Sequence, residues 1–267
     1  MTWIHTGYRT GRRSFVKSLL LLAASVPFQA AAHAQSNVVK VSAAADMEPV
    51  LQAIGPIFEK KTGLKLKVSF GSSATLSQQL QNGSPSDIFL SADFYFAEQL
   101  VVANLTDSRQ PTPYATGLLV LWSRKDSRFK PLSVDALERK DLKSVAVANP
   151  ERAPYGRAAV AALKKMKLYD NVAPHIVQAE SVTQAAQFAL SGNAELALIS
   201  ETIAMSPRYR DAGNFVLLPM SQYAAIRQCA VVMKAGANRD GAHRLLDFML
   251  SDEVQNNLPK LGLQVAK

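Results

Sequence analysis

Apolar and polar residues alternate along this chain in short blocks that predict strands and helices in turn. Runs rich in β-branched or wholly apolar residues predict strands over 38–43, 64–70, 88–90, 118–122, 144–148, 176–178, 196–199, 215–218 and 224–233. Apolar residues at helical spacing predict helices over 48–62, 76–81, 94–103, 134–137, 156–166, 182–191 and 239–250. This alternation favours an α/β fold built on parallel or mixed sheets.

Two segments, residues 114–121 and 222–231, have the pattern of strands that cross between two halves of a fold. After residue 34 the sequence contains no internal repeat, no low-complexity tract and no obvious flexible linker. This organisation is compatible with two lobes joined by crossing strands.

The first thirty-four residues have the three-part pattern of a cleavable secretory signal peptide. Residues 1–18 carry four basic residues and no acidic one, residues 19–31 are almost wholly apolar, and Ala32-His33-Ala34 has the form of a cleavage site. The apolar run is too short for a transmembrane helix, which must span ~30 Å of hydrocarbon. A buried N-terminal helix is the alternative to a signal peptide. Residues 11–17, GRRSFVK, resemble the twin-arginine export signal of bacteria, with an ordinary Sec signal as the alternative. No cysteine lies near the expected cut, so we expect a protein that is soluble in the periplasm without a lipid anchor.

The net charge changes once this signal is set apart. The whole chain has 30 Lys+Arg against 21 Asp+Glu, a net charge of +9 that suggests a nucleic-acid partner. Four of the basic residues and none of the acidic ones lie in residues 1–34, which leaves 26 basic and 21 acidic residues, or +5. The densest remaining cluster, Lys164, Lys165 and Lys167, fits a solvated helix face. We therefore expect no nucleic-acid partner, and a composition of 48% hydrophobic and 19% charged residues excludes a disordered chain.

The residues that could support catalysis do not form a recognisable constellation. His175 and His243 have no ligand at metal-binding spacing, and Cys229, the single cysteine, lies in an apolar run typical of a core thiol. The acidic pairs Asp46 with Glu48 and Asp87 with Asp93 have no partner that would place them across a substrate. We therefore expect no enzyme activity, no cofactor and no site for a free metal cation.

Four junctions between a predicted strand and a predicted helix are small or polar. They are residues 43–46, 71–75, 150–156 and 180–182. Helix N-termini present unpaired N–H groups with a partial positive charge, so several that converge can bind an anion without lysine or arginine. Ordinary N-capping by Ser, Thr or Asp is the alternative at each junction taken alone. Their combination in one exported α/β chain favours an anion site.

Blocks of sequence at these junctions resemble one family. They are AAAD at 43–46, FGSSATL at 70–76, GSPSDIFLSAD at 83–93, GLLVLW at 117–122, NPE at 149–151, APYG at 153–156 and ESV at 180–182. In this order they resemble the periplasmic molybdate-binding proteins of ABC transporters. The resemblance runs from about residue 38 to residue 263, and its specificity comes from the second and third blocks in combination.

The resemblance implies a two-lobed periplasmic-binding-protein-like fold of class II, with a mixed sheet flanked by helices in each lobe and the ligand in the cleft. It implies that residues 35–116 with 224–267 form lobe 1 and that residues 117–223 form lobe 2. The implied function is capture of molybdate, and also of tungstate, by a monomer whose lobes close on the anion. The implied partner is the membrane permease of an ABC importer.

The resemblance also assigns the groups that hold the anion. Lobe 1 would contribute Ala45, Asp46 and Ser73, and lobe 2 would contribute Tyr155 and the backbone amide of Val182. All of these are neutral donors except Asp46, which stands where the family usually has Ser or Asn. At ~4 Å and an effective dielectric of ~20, an ionised Asp46 would repel each unit of ligand charge by roughly 4 kcal/mol.

Three arrangements would relieve this repulsion. Asp46 could point away and cap its helix, which is the arrangement we expect, or it could be protonated with a raised pKa. The ligand could itself carry a proton, which would favour another tetrahedral oxyanion such as hydrogen phosphate. An exported enzyme and the effector domain of a transcription regulator are the alternatives from other classes. The first lacks a catalytic constellation, and the second would need a DNA-binding helix-turn-helix.

Overall fold

The computed structural model of the protein describes residues 37–266, and the expected signal peptide at 1–34 lies outside the described residues. Its strands are β1 (Val38–Ala44), β2 (Lys65–Gly71), β3 (Ile88–Ser91), β4 (Thr112–Gly117), β5 (Leu119–Arg124), β6 (Val145–Ala148), β7 (Ile176–Ala179), β8 (Leu196–Ser200), β9 (Gly213–Leu217), β10 (Ile226–Val232) and β11 (Leu263–Val265). Its helices are α1 (Glu48–Thr62), α2 (Ser73–Gln81), α3 (Phe94–Val102), α4 (Pro154–Lys165), α5 (Tyr169–Val172), α6 (Val182–Ser191), α7 (Glu201–Met205), α8 (Pro207–Ala212), α9 (Arg239–Leu250) and α10 (Asp252–Gln255). Among these described helices, none is both long and apolar enough to cross a membrane.

The strands form two mixed sheets. The first sheet has six strands in the order β11-β4-β10-β3-β1-β2, and its β1, β2 and β3 are parallel. The second sheet has five strands in the order β7-β6-β8-β5-β9, and its β6, β7 and β8 are parallel. The chain leaves the first sheet at Gly117, enters the second at Leu119, and returns to the first between β9 and β10.

Both faces of the first sheet are covered, which explains why its central strand β3 is almost wholly apolar. Because successive side chains of a strand point to opposite faces, Ile88 and Leu90 of β3 pack beneath α1 and α9 while Phe89 packs beneath α2 and α3. The second sheet packs against α4 and α6, whose buried faces are mainly alanine. Small side chains let these helices lie close to the sheet, with the fully buried Trp122 of β5 in the same core.

Helices α1, α6 and α9 have the predicted bounds, because each combines a clear apolar stripe with a defined end. Helix α2 begins at Ser73 rather than 76, since the Ser72 side chain caps it, and α4 begins at Pro154 rather than 156, where proline fits a first helical position. The predicted short helix at 134–137 is a 3₁₀ turn over Val134–Glu138. The sequence analysis did not predict α5, α7, α8, α10 or β11, which are too short to show a periodicity.

Gly213, at the start of edge strand β9, packs against the ring of Trp122. A Cβ atom there would lie 2.1 Å from Cζ2 of Trp122, so the ring would have to shift. We expect Gly213→Ala to lower the free energy of unfolding in urea by about 1–3 kcal/mol, as overpacked cores do. Gly55→Ala in α1 is the matched control, because its Cβ would meet only Leu66 at 3.5 Å. It should be neutral or stabilising, and equal losses in the two variants would contradict this account of packing.

Candidate anion-binding site

A small cavity lies where α2, α4 and α6 begin and where β1 ends. About 200 Å³ among its lining residues is not filled by protein atoms, a volume that includes space open to solvent, and the room inside is close to that of one water molecule. Its walls include all five residues assigned from the sequence, Ala45, Asp46, Ser73, Tyr155 and Val182. The other lining residues are Ala44, Gly71, Ser72, Ala92, Ala153 and Pro154. No lysine or arginine is among these lining residues in the described part of the chain.

The first sheet contributes the end of β1 and the start of α2. Parallel strands β1 and β2 end side by side, with Ala44 paired to Gly71, so the segments that follow them meet at the same edge. After β1 the chain makes a 3₁₀ turn over Ala45–Met47, and this turn buries both Ala45 and Asp46. The first strand-to-helix junction is therefore a tight turn followed by α1, with its backbone facing the cavity.

Ser72 and Ser73 divide two roles at the start of α2. The Ser72 hydroxyl accepts a hydrogen bond from the amide of Thr75 at 3.3 Å and so caps the helix. The Ser73 hydroxyl is buried and accepts a hydrogen bond from the amide of Ala92 at 3.1 Å. An acceptor hydroxyl keeps its own hydrogen to donate, so Ser73 can present an O–H to a ligand in the cavity.

The second sheet contributes the starts of α4 and α6. Tyr155, the second residue of α4, is fully buried, and its hydroxyl oxygen accepts a hydrogen bond from Nε2 of Gln228 at 3.2 Å. Its approach depends on Gly117, since a Cβ atom there would lie 2.1 Å from the tyrosine hydroxyl. At α6, Ser181 caps the helix by accepting from the amide of Gln184, which leaves Val182 as the first helical residue at the cavity.

The described conformation closes the cavity between the two sheets. Four polar contacts join the segments of the two sheets around it. Three are hydrogen bonds, from Ala74 N to Arg152 O at 3.1 Å, from Thr183 Oγ1 to Ala45 O at 3.2 Å, and from Thr202 Oγ1 to Asp46 O at 2.7 Å. The fourth is the ion pair of Arg157 with Asp93 at 2.9 Å. These contacts explain why the cavity is small.

Asp46 does not cap a helix, so the expected first arrangement is wrong. Neither the 3₁₀ turn nor α1 has a side-chain cap, and the Asp46 side chain is instead fully buried. Its Oδ2 accepts a hydrogen bond from Nε2 of Gln228, while its Oδ1 has no partner among the described residues. Burial raises the pKa of Asp46 to about 6, although hydrogen bonding by Gln228 and Tyr155 lowers it in part. Burial therefore shifts the carboxyl group toward the second arrangement, although a pKa of about 6 leaves it mostly ionised at pH 7.

Gln228 is the residue of this region that the sequence analysis missed. It lies fully buried at an irregularity of β10, where the register with β4 shifts between Gln228 and Cys229. It touches Asp46 on one side and Tyr155 on the other, so it connects groups contributed by both sheets. A lone glutamine in the apolar strand was the available signal, because a buried amide needs partners.

The side chains considered for catalysis lie elsewhere or are engaged. The Cys229 thiol is buried and donates to the carbonyl oxygen of Asp93, and burial raises the pKa of this thiol. His243 lies 3.2 Å from the carboxylate of Asp107 in an exposed pair. Within residues 37–266, no group of three or more His, Cys, Asp or Glu side chains is placed to hold a metal ion.

Comparison with known sequences identifies the family. Residues 39–264 match the sequence profile described as bacterial extracellular solute-binding protein. The chain belongs to this family.

Two relatives and one solved structure are similar to this chain over most of its length. The chain is 36% identical to the molybdate-binding protein ModA of Azotobacter vinelandii, over 93% of this chain and 98% of that protein. It is 33% identical to ModA of Rhodobacter capsulatus, over 86% of this chain and 88% of that protein. The solved structure of the periplasmic molybdate-binding protein of Azotobacter vinelandii has a TM-score of 0.77 at 28% identity, over 86% of this chain and 100% of that one. The family resemblance and the α/β periplasmic-binding-protein-like fold with two mixed sheets are confirmed.

A more distant solved structure shares only the fold with this chain. The sulfate-binding protein SubI of Mycobacterium tuberculosis has a TM-score of 0.73 at 17% identity, over 85% of this chain and 86% of that one.

The raised pKa of Asp46 generates a prediction about stability. Because the folded pKa of about 6 lies above the ordinary value of 3.8, folding favours the protonated acid. Its contribution to stability is fully present below pH ~4 and is lost as the pH rises to ~6. Asp46→Asn should therefore raise the free energy of unfolding at pH 8 by up to about 3 kcal/mol, several degrees in melting temperature, with no gain near pH 4.

Asp126→Asn serves as the control, since Asp126 is exposed in a surface pair with Arg124. It should change the melting temperature little at either pH. A melting temperature of Asp46→Asn that is unchanged at pH 8 would contradict the burial of an ionisable group at this position.

Proposed function

We propose that this chain is an exported solute-binding protein that captures molybdate, and also tungstate, between two lobes and delivers it to the membrane permease of an ABC importer. The observation that carries the proposal is the convergence of donors on one closed cavity from segments of both sheets. The choice of molybdate as the ligand rests on the relatives, which are named molybdate-binding proteins and match most of the chain. The proposed ligand contacts are Ala45, Asp46, Ser73, Tyr155 and Val182.

The proposed lobes follow the sheets. Lobe 1 is residues 35–116 with 224–267, and lobe 2 is residues 117–223. Support comes from the topology, since strands β1–β4, β10 and β11 share one sheet and strands β5–β9 share the other. Two crossings of the chain connect the lobes, near residue 118 and between β9 and β10, so the hinge lies beside the cavity.

The proposed mechanism relies on neutral donors. The amides at the start of α2 and α6 and in the turn after β1 point partial positive charge at the anion, and the hydroxyl hydrogens of Ser73 and Tyr155 complete its shell. Because these donors belong to both lobes, only the closed conformation offers all of them at once. The anion therefore shifts the population toward the closed state, which is the state the permease would bind.

Donors of this kind recognise shape and charge together. A tetrahedral dianion presents four oxygen acceptors, and a rigid enclosed shell of N–H and O–H groups fits one range of sizes. Molybdate and tungstate share geometry and charge, so we expect both to bind. Sulfate and phosphate, the other tetrahedral oxyanions, are the alternative ligands.

We further propose that the protein works in the periplasm as a monomer and has no enzyme activity. The expected signal peptide at 1–34 supports export, and its residues 11–17 resemble the twin-arginine export signal. The match to solute-binding proteins over most of the chain supports binding rather than turnover.

A melting experiment tests the ligand. Molybdate at a hundred times its dissociation constant should stabilise the protein by about 2.7 kcal/mol, because a ligand of the folded state acts by mass action. For a chain of this size we expect a rise in melting temperature of roughly 5–11 °C. Tungstate should act similarly, while sulfate and phosphate at the same concentration should have little effect. Stabilisation by phosphate or sulfate alone would replace molybdate with that anion.

Substitutions test the proposed contacts. Ser73→Ala and Tyr155→Phe each remove one O–H donor to a charged ligand, so each should weaken molybdate binding in calorimetry by roughly ten- to a hundredfold. Ser84→Ala is the control, because Ser84 is exposed and outside this cavity. Wild-type affinity in both site variants would place the anion elsewhere.

A further inference from the structure

A cluster of buried polar groups lies at the wall of the cavity. It consists of Asp46, Gln228, Tyr155 and Tyr114, all of which are essentially inaccessible to solvent. Three polar atoms of this cluster lack a hydrogen-bond partner among the described residues: Oδ1 of Asp46, Oε1 of Gln228 and the hydroxyl of Tyr114. Buried polar atoms without partners are uncommon in proteins, and two of these three are acceptor oxygens, so the cluster lacks a hydrogen to donate, which a proton on the acid would supply.

Burial and hydrogen bonds set the pKa of Asp46, and no cation among the described residues contributes to it. Arg157 pairs with Asp93, Lys65 pairs with Glu59, and Lys67 is exposed. Helix α6 carries no charged residue, and its Thr183 contacts this turn. The side-chain partners of the carboxyl group are the amide of Gln228 and the hydroxyl of Tyr155. The titratable or charged side chains on the elements around it are Lys40 on β1, Lys65 and Lys67 on β2, Glu48, Glu59, Lys60 and Lys61 on α1, Tyr114 on β4, Tyr155, Arg157, Lys164 and Lys165 on α4, Glu201 on α7, and Arg227 and Cys229 on β10.

The geometry separates the two oxygens of the acid. Oδ2 accepts the hydrogen bond from Gln228, so a proton on Asp46 would reside on the unpartnered Oδ1. Asp46 lines the cavity, so a proton on Oδ1 would make it an O–H donor at the place where the ligand sits. An ionised Asp46 would instead place a carboxylate against the anion with nothing between them.

We propose that the closed site binds its oxyanion together with one proton, which resides on Asp46, and that Gln228 positions this acid to donate its hydrogen to the anion. The inference rests on the proposed function and concerns the same site. It makes Asp46 a donor like the other four contacts. Gln228 acts as a positioning residue, since it touches the acid and Tyr155.

Closure then changes the protonation of the protein. When the lobes are apart, Asp46 loses its neighbours Tyr155 and Thr202 from the other lobe and is more open to water, so its pKa lies closer to the ordinary value. In the closed conformation burial raises its pKa to about 6, and a neighbouring dianion raises that pKa further. Between the pKa of the free protein and the pKa of the complex, each binding event takes up one proton, so the affinity falls about tenfold for each unit of rising pH.

Calorimetry measures this proton directly. Molybdate is titrated into the purified protein at pH 7 in two buffers with different ionisation enthalpies, and the difference in heat gives the number of protons taken up. We expect about one proton per anion for the natural sequence, and an affinity that falls up to a hundredfold from pH 6 to pH 8. Asp46→Asn should still bind molybdate, but without proton uptake and with an affinity that does not depend on pH in this range.

Two further variants separate the roles. Glu201→Gln is the matched control, since burial also raises the pKa of Glu201 and its side chain does not line the cavity, so this variant should retain the uptake. Gln228→Leu removes a donor that favours the ionised carboxylate, so the upper end of the uptake range should move to higher pH. Uptake that persists in Asp46→Asn, is lost in Glu201→Gln, or keeps its pH profile in Gln228→Leu would overturn the inference.

The outcome also distinguishes this inference from the proposed function. A protein that gives no binding heat with molybdate or tungstate would refute the function itself. Normal binding without any proton uptake would leave the function intact and overturn only the role of Asp46 as a neutral donor.

Discussion

The hydrogen bond that Gln228 donates to the Asp46 carboxyl group is the contact around which the candidate site is arranged. The same amide also donates to the hydroxyl of Tyr155, so one side chain of β10 joins the turn after β1 to the start of α4. Both connections depend on space: Gly117 has no side chain that would displace Tyr155, and β10 has an irregular register at Gln228. The two sheets therefore meet through a buried polar contact rather than through apolar packing alone.

The rest of the cavity follows from strand direction. Parallel β1 and β2 end at the same edge of the first sheet, and parallel β6 and β7 end at the same edge of the second. The helices that follow these strands therefore begin near one another at the cavity, and helix N-termini carry a partial positive charge. This arrangement supplies positive potential without placing a cation in a closed space, where an unpaired charge would be costly whenever the cavity is empty.

Much of the fold and most of the site could be predicted from sequence, for physical reasons. Helices such as α1 and α6 have apolar stripes and defined ends, and small polar junctions mark the helix starts that enclose the cavity. The orientation of the Asp46 side chain could not be predicted, because an aspartate just before a helix can either cap that helix or turn into the core. Gln228 is separated from Asp46 by 182 residues, and only the sheet order brings the two together. Short elements such as α7 have no periodicity, yet α7 carries Thr202, which holds the carbonyl oxygen of Asp46.

An acid in an anion site has a physical logic once its proton is considered. A serine or asparagine at this position would donate a hydrogen bond at any pH, whereas an aspartate donates only when protonated, and burial beside a dianion is the condition that protonates it. In the proposed role, the same side chain would repel the anion while the lobes are apart and bind it once they enclose it. Part of the binding free energy would then be spent on taking up the proton, so affinity would weaken as the surroundings become alkaline. Gln228 would moderate this coupling, since its donated hydrogen bond favours the ionised carboxylate and lowers the pKa of Asp46 against the effect of burial.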